Sequence, residues 1–109
     1  MSWQVKFFHN QRGDFPVKDF IEKLDKSLYI RILRYINLLA NKGIYVQPPY
    51  AKKIRNNIWE LRITGKIQIR ILYTYFDNAF YLLHALKKKK QKIPLKEIAI
   101  ALDRKKELV

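Results

Sequence analysis

Cysteine is absent from this 109-residue chain, and acid is scarce: nine Asp and Glu stand against 23 Lys and Arg. Without thiols there is no disulfide framework and no thiolate nucleophile. Two histidines and a thin scatter of acids give no metal-ligand spacing, so catalysis here is expected to need neither metal nor cofactor. Long apolar runs are also missing, none approaching the ~20 residues that span a bilayer. The opening Met-Ser-Trp-Gln-Val-Lys lacks the basic-then-apolar order of a secretion signal. Together these absences predict a cytoplasmic chain with no membrane partner. With three glycines and four prolines there is little material for linkers, and no internal repeat is found.

What the chain does have is positive charge. A net +14 favours polyanionic partners such as RNA, DNA or an acidic protein. The charge is densest between His84 and Glu97, where an apolar strand ends in five lysines, Lys87 to Lys90 and Lys92, just before Pro94. Like charges ~4 Å apart repel by about 1 kcal/mol even in water. Folding therefore does not ask for this run, whereas a polyanion would; a solubilising or localisation-like stretch is the alternative. Hydrophobic content of 49%, with seven tyrosines and six phenylalanines, suffices for the core of one domain over residues 1–109.

Along the chain, Trp3 to Phe8 reads as a short strand and Gln11 to Asp14 as a loop. Asp14 followed by Pro16 is a helix-start signal. Phe20, Ile21 and Leu24, then Leu28, Ile32, Tyr35, Ile36 and Leu39, keep three-and-four spacing until Gly43, which predicts a helical hairpin broken near Asp25 to Ser27. Arg31 and Arg34 fall off that apolar stripe, as solvated face or partner surface. Val46 to Tyr50, with two consecutive prolines, must be extended loop. Alternation then takes over in two strands around Gly65: Trp59, Leu61 and Ile63 against Glu60 and Arg62, and Ile67 to Tyr75 against Gln68 and Arg70. Matching the apolar faces pairs Leu61 with Ile69 and Ile63 with Ile67 across a loop of about three residues, and sets Glu60 opposite Arg70. A turn at Asn78 leads to Phe80–Leu86, apolar on both faces and so an interior strand. Pro94 opens a last helix whose inner face is Leu95, Ile98, Ala99 and Leu102.

These elements predict a cationic trough. Its floor is an open sheet face with Arg62, Gln68 and Arg70; Lys52, Lys53 and Arg55 flank one edge, and Lys87, Lys88, Lys89, Lys90 and Lys92 the other. Arg70 in a cross-strand ion pair with Glu60 is the structural alternative, worth about 0.2–1 kcal/mol. His84, within an apolar strand, reads as a satisfied core histidine, and the parity of Tyr73 and Tyr75 places them in the core rather than in chemistry.

Pro16-Val17 before a helix, Pro49-Tyr50 then Lys53, Trp59-Glu60-Leu61-Arg62, Arg70-Ile71-Leu72-Tyr73, Leu82-Leu83-His84, Lys87-Lys88 to Gln91-Lys92, and Pro94 with Glu97 and Ala101 resemble, in order and spacing, the phage Gp49-like HigB branch of the RelE/ParE toxin superfamily. The resemblance implies an α+β, RelE-like fold: an antiparallel sheet, an N-terminal helical hairpin packed on one face, and a C-terminal helix. It also implies a toxin–antitoxin toxin that cleaves mRNA, usually on the ribosome, and is restrained by a HigA-like helix-turn-helix antitoxin, with DNA met only through that antitoxin. By position Arg62 and Arg70 match the family's sheet arginines, and Lys87, Lys88 and Lys92 its basic loop. The chain departs from relatives at Ala85-Leu86, Lys89-Lys90 and Ile93. Metal-free RNA cleavage assigns Arg62 and Arg70 to the phosphate and leaves the base to one lysine of the 87–90 run, with Lys87 and Lys88 as the catalytic candidates and a pKa pulled down by neighbouring lysines. Two other functions fit the same residues: a ParE-like inhibitor of a protein such as DNA gyrase, and a non-catalytic RNA-binding module.

Overall fold

The computed structural model describes residues 2–55 and 57–108. Strand β1 (Gln4–Phe7) leads into helices α1 (Pro16–Glu22) and α2 (Lys26–Lys42), a short 3-10 turn (Gly43–Tyr45), strands β2 (Ala51–Arg55), β3 (Ile58–Ile63), β4 (Ile69–Phe76) and β5 (Ala79–Lys87), and helix α3 (Leu95–Lys106). The strands form one sheet in the order β1-β5-β4-β3-β2. From β2 to β5 every pairing is antiparallel, but β1 lies parallel to β5. The sheet is therefore mixed rather than antiparallel, and the helical pair follows a strand instead of starting the chain. Side-chain alternation tells which face a residue occupies and carries no information on strand direction.

Local chemistry accounts for the helix boundaries. Pro16 occupies the first turn of α1, where its missing N–H costs nothing. Asp14 is not the cap that Asp-x-Pro suggests; it accepts from Asn10 Nδ2 and ties the preceding loop instead. Asp25 does cap α2, accepting from the Leu28 amide at 3.0 Å. Gly43 ends that helix with φ +56°, and a Cβ there would run into the Trp3 indole, so glycine is required on two grounds.

Helices α1 and α2 bury Val17, Ile21, Leu28, Ile32 and Leu39 against Leu61, Ile63, Ile69, Ile71 and Tyr73 of the sheet. A second core on the other face joins Phe8, Ile58, Leu72, Leu83 and Leu86 to Ala101 of α3. The face expected to be open is therefore half covered. Within α3, Ile98 is buried and Leu102 packs against this second core as expected, and Ala101, not expected on the inner face, is buried too, but Leu95 is 75% exposed and Ala99 is exposed as well. The strand expected at Phe80–Leu86 is interior, between β1 and β4.

Register departs from expectation by two residues. Leu61 pairs with Ile71 and Ile63 with Ile69, leaving a five-residue loop from Thr64 to Gln68 between β3 and β4. Ile67, expected on the buried face, lies in this loop and is 40% exposed. Parity matching allows either loop length, because both keep the apolar faces together. The longer one is held both from outside and from within the hairpin: Arg31 of α2 donates to the Thr64 carbonyl at 3.1 Å, and within the loop Gln68 Nε2 donates to the Gly65 carbonyl at 2.9 Å.

Candidate functional site

The β3–β4 register sets Arg62 directly opposite Arg70, while Glu60 falls opposite Leu72 and Lys52. Two facing arginines on a sheet repel, and Glu60 offsets this from one position back. Arg62 Nε donates to Glu60 Oε1 at 3.0 Å; Arg70 Nε stands 3.8 Å from Glu60 Oε2. The ion pair expected between Glu60 and Arg70 is thus present on the diagonal, not across the ladder. Both partners are buried, Glu60 at 4% exposure and Arg70 at 6%. Arg70 Nη1 also donates to the Ile69 carbonyl at 3.0 Å and to Gln68 Oε1 at 3.4 Å. At 3.8 Å the Glu60 Oε2 to Arg70 Nε contact is too long for a hydrogen bond, and both atoms lack a hydrogen-bond partner among the described residues. Burial depresses the Arg70 pKa, with Glu60 opposing and the Arg62 charge reinforcing the shift.

Beside this pair opens a cleft of about 460 Å³, within the range of small-molecule sites. One wall is Lys52, Lys53, Ile54 and Arg55 of β2 with Glu60 and Arg62 of β3; the other is Lys88, Gln91, Lys92 and Ile93 with Leu95 and Ile98 of α3. The Lys88 amide donates to the Gln68 carbonyl at 2.7 Å, continuing the β4–β5 ladder by one rung and fixing where its side chain leaves the backbone. The Lys88 pKa is lowered, first by burial, then by Arg70, with Glu60 opposing and Arg62 and Lys52 adding to the fall. The charges responsible are those of the sheet and β2 rather than the neighbouring loop lysines.

The structure thus brings Lys52, Lys53, Arg55, Arg62, Lys88 and Lys92 to one cleft, with Arg70 and Gln68 joined to it through hydrogen bonds and charge. Lys53 borders the cleft, but its ammonium lies 5.8 Å from the Trp59 ring centre. Lys87, Lys89 and Lys90 are exposed and outside the lining; Lys87 pairs with Ile69 and shares the parity of the helix-covered face. The strand carrying Lys52 to Arg55 was not legible as a strand, since its residues read as a basic run. Glu60 is central yet counted in the sequence only as an ion-pair partner. Its signal was isolation: it is the sole acid between Asp25 and Asp77.

His84 sits away from the cleft, between β5 and α3. Its Nε2 is 3.1 Å from Glu97 Oε1 and its Nδ1 3.2 Å from Arg104 Nη1, which also donates to the Leu83 carbonyl at 2.8 Å. It is a satisfied, half-buried histidine whose pKa is lowered by burial. Among the described residues no three His, Asp or Glu side chains gather where a metal ion could be held.

The family model described as "Phage derived protein Gp49-like (DUF891)" matches residues 19–106. The chain belongs to this family. Gp49-like proteins are a RelE/HigB-like toxin family, and the match takes in every residue that lines the cleft. Membership in the Gp49-like family suggests a toxin of a toxin–antitoxin system, which generally implies an antitoxin partner. Comparison with curated proteins finds no match.

Proposed function

We propose that the chain is a metal-free endoribonuclease toxin that cleaves mRNA on the ribosome and is restrained by a HigA-like antitoxin. The observation that carries this reading is the opposition of Arg62 and Arg70 beside Lys88, whose pKa is lowered, in a cleft lined by cations. RNA supplies its own nucleophile, the 2′-hydroxyl. Cleavage forms the 2′-O–P bond and breaks P–O5′, leaving a 2′,3′-cyclic phosphate; the 2′-proton goes to a base and O5′ takes up a proton, here from solvent. Lys88 takes the role of base in this reading: a lysine with its ordinary pKa near ~10.4 is almost wholly protonated at neutral pH, and Lys88 is the loop lysine whose pKa burial and the nearby Arg70 charge lower. Arg62, whose side chain is 27% exposed, contacts the phosphoryl oxygens as charge builds on them. Arg70 supports it from the floor with a second fixed charge. Lys52, Lys53, Arg55, Lys92 and the outlying Lys87, Lys89 and Lys90 steer the backbone in.

Purified protein added to translating ribosomes should shorten mRNA and leave 5′-hydroxyl ends. Lys88→Ala should lower cleavage by about 10²–10⁴-fold, the usual worth of a positioned base. Full activity in that variant would remove Lys88 from the role. Binding of RNA without cleavage, even on ribosomes, would favour the non-catalytic module.

A further inference from the structure

The cleft is not uniformly cationic. Ile54 of β2, Ile93 of the loop, and Leu95 and Ile98 of α3 contribute an aliphatic part to its lining. Ile98 is buried, and Ile54 and Ile93 pack against the second core. Leu95 has no such excuse: it is 75% exposed, at the first residue of α3, with its apolar side chain at the cleft. Folding gains little from a leucine in that position. A ligand with one apolar flat part and one anionic part would use both walls at once.

We infer that this aliphatic wall is a nucleobase subsite, where Ile54, Ile93, Leu95 and Ile98 cover the face of a base whose phosphate lies on the Arg62–Lys88 side, and that Gln91 reads the base edge. This rests on the reading of the cleft as an RNA site. Charge complementarity selects the phosphate, and the volume of about 460 Å³ accommodates one nucleotide rather than a duplex. Aliphatic side chains cover any base without discriminating among them. Gln91 is the one neutral hydrogen-bonding side chain among the described residues of the lining, and its amide both donates and accepts, which suits a base edge. Lysine and arginine only donate.

The test is equilibrium binding of the four nucleoside 3′-monophosphates and of inorganic phosphate to the purified chain. Nucleotides should bind at least tenfold more tightly than phosphate. Leu95→Ser, at an exposed position, should remove several-fold of that advantage with phosphate affinity unchanged, and Gln91→Ala should level the differences among the four bases. Equal affinity for nucleotides and phosphate would overturn the subsite, as would Leu95→Ser and Gln91→Ala variants that keep the original advantage and ranking. The nuclease reading is judged separately by cleavage, so base-dependent nucleotide binding without cleavage would sink that reading and leave the subsite standing.

Discussion

At the residue scale the decisive group is Glu60. It is the acid around which Arg62, Arg70 and Lys88 are assembled, and it is buried. Removing one partner of a buried charge set leaves the others uncompensated and typically costs about 3–5 kcal/mol. Glu60→Ala should therefore lower stability by that order in denaturant unfolding, well beyond the effect of Lys52→Ala on the exposed edge. Glu60→Gln keeps the shape and separates charge from packing. The same substitution should lower the Lys88 pKa further, because Glu60 is the group that opposes its fall; the rising limb of the pH–rate profile of cleavage, which reports deprotonation of the base, should shift to lower pH. An unchanged limb would show that Lys88 is not the titrating base.

At the element scale, α3 is anchored through one polar cluster. Arg104 holds the Leu83 carbonyl, and His84 bridges Arg104 and Glu97. Burial holds the His84 pKa below its ordinary 6.5, with Arg104 adding to the fall and Glu97 opposing it. The unfolded chain thus binds this proton more readily than the fold does, so its contribution to stability is complete above about pH 6.5 and is lost as pH falls through the lowered folded value. Thermal unfolding between pH 7 and 5 should show this loss, and His84→Gln should flatten it. What was legible in the sequence follows a similar division. Period and punctuation revealed α1, α2, α3 and the β3 to β5 faces, because burial of one face is written directly in residue spacing. The parity argument put Arg62 and Arg70 on one face, as found, but it could not choose between loops differing by two residues, and Arg31, from a distant helix, decided the matter. Strand β2 escaped notice because an edge strand needs few apolar residues. Of its residues, only Ala51 is buried.

At the scale of the whole molecule, charge is divided between a small cleft and a wide basic surface. Lys89 and Lys90 lie outside the lining; on the proposed reading they act only through the field, so each Lys→Ala change should weaken RNA association and make its salt dependence shallower by about one unit of slope. Such changes should leave single-turnover cleavage of bound RNA untouched. Arg62→Ala should do the reverse, because a contact made as the transition state forms lowers turnover more than ground-state affinity. The most direct test is transcript integrity in cells expressing the chain, compared with cells expressing Arg62→Ala at equal level. The account predicts growth arrest with loss of full-length mRNA, fragments ending in 5′-hydroxyl and 2′,3′-cyclic phosphate, unchanged DNA supercoiling, and intact transcripts in the variant. Growth arrest with intact mRNA and altered supercoiling would contradict it.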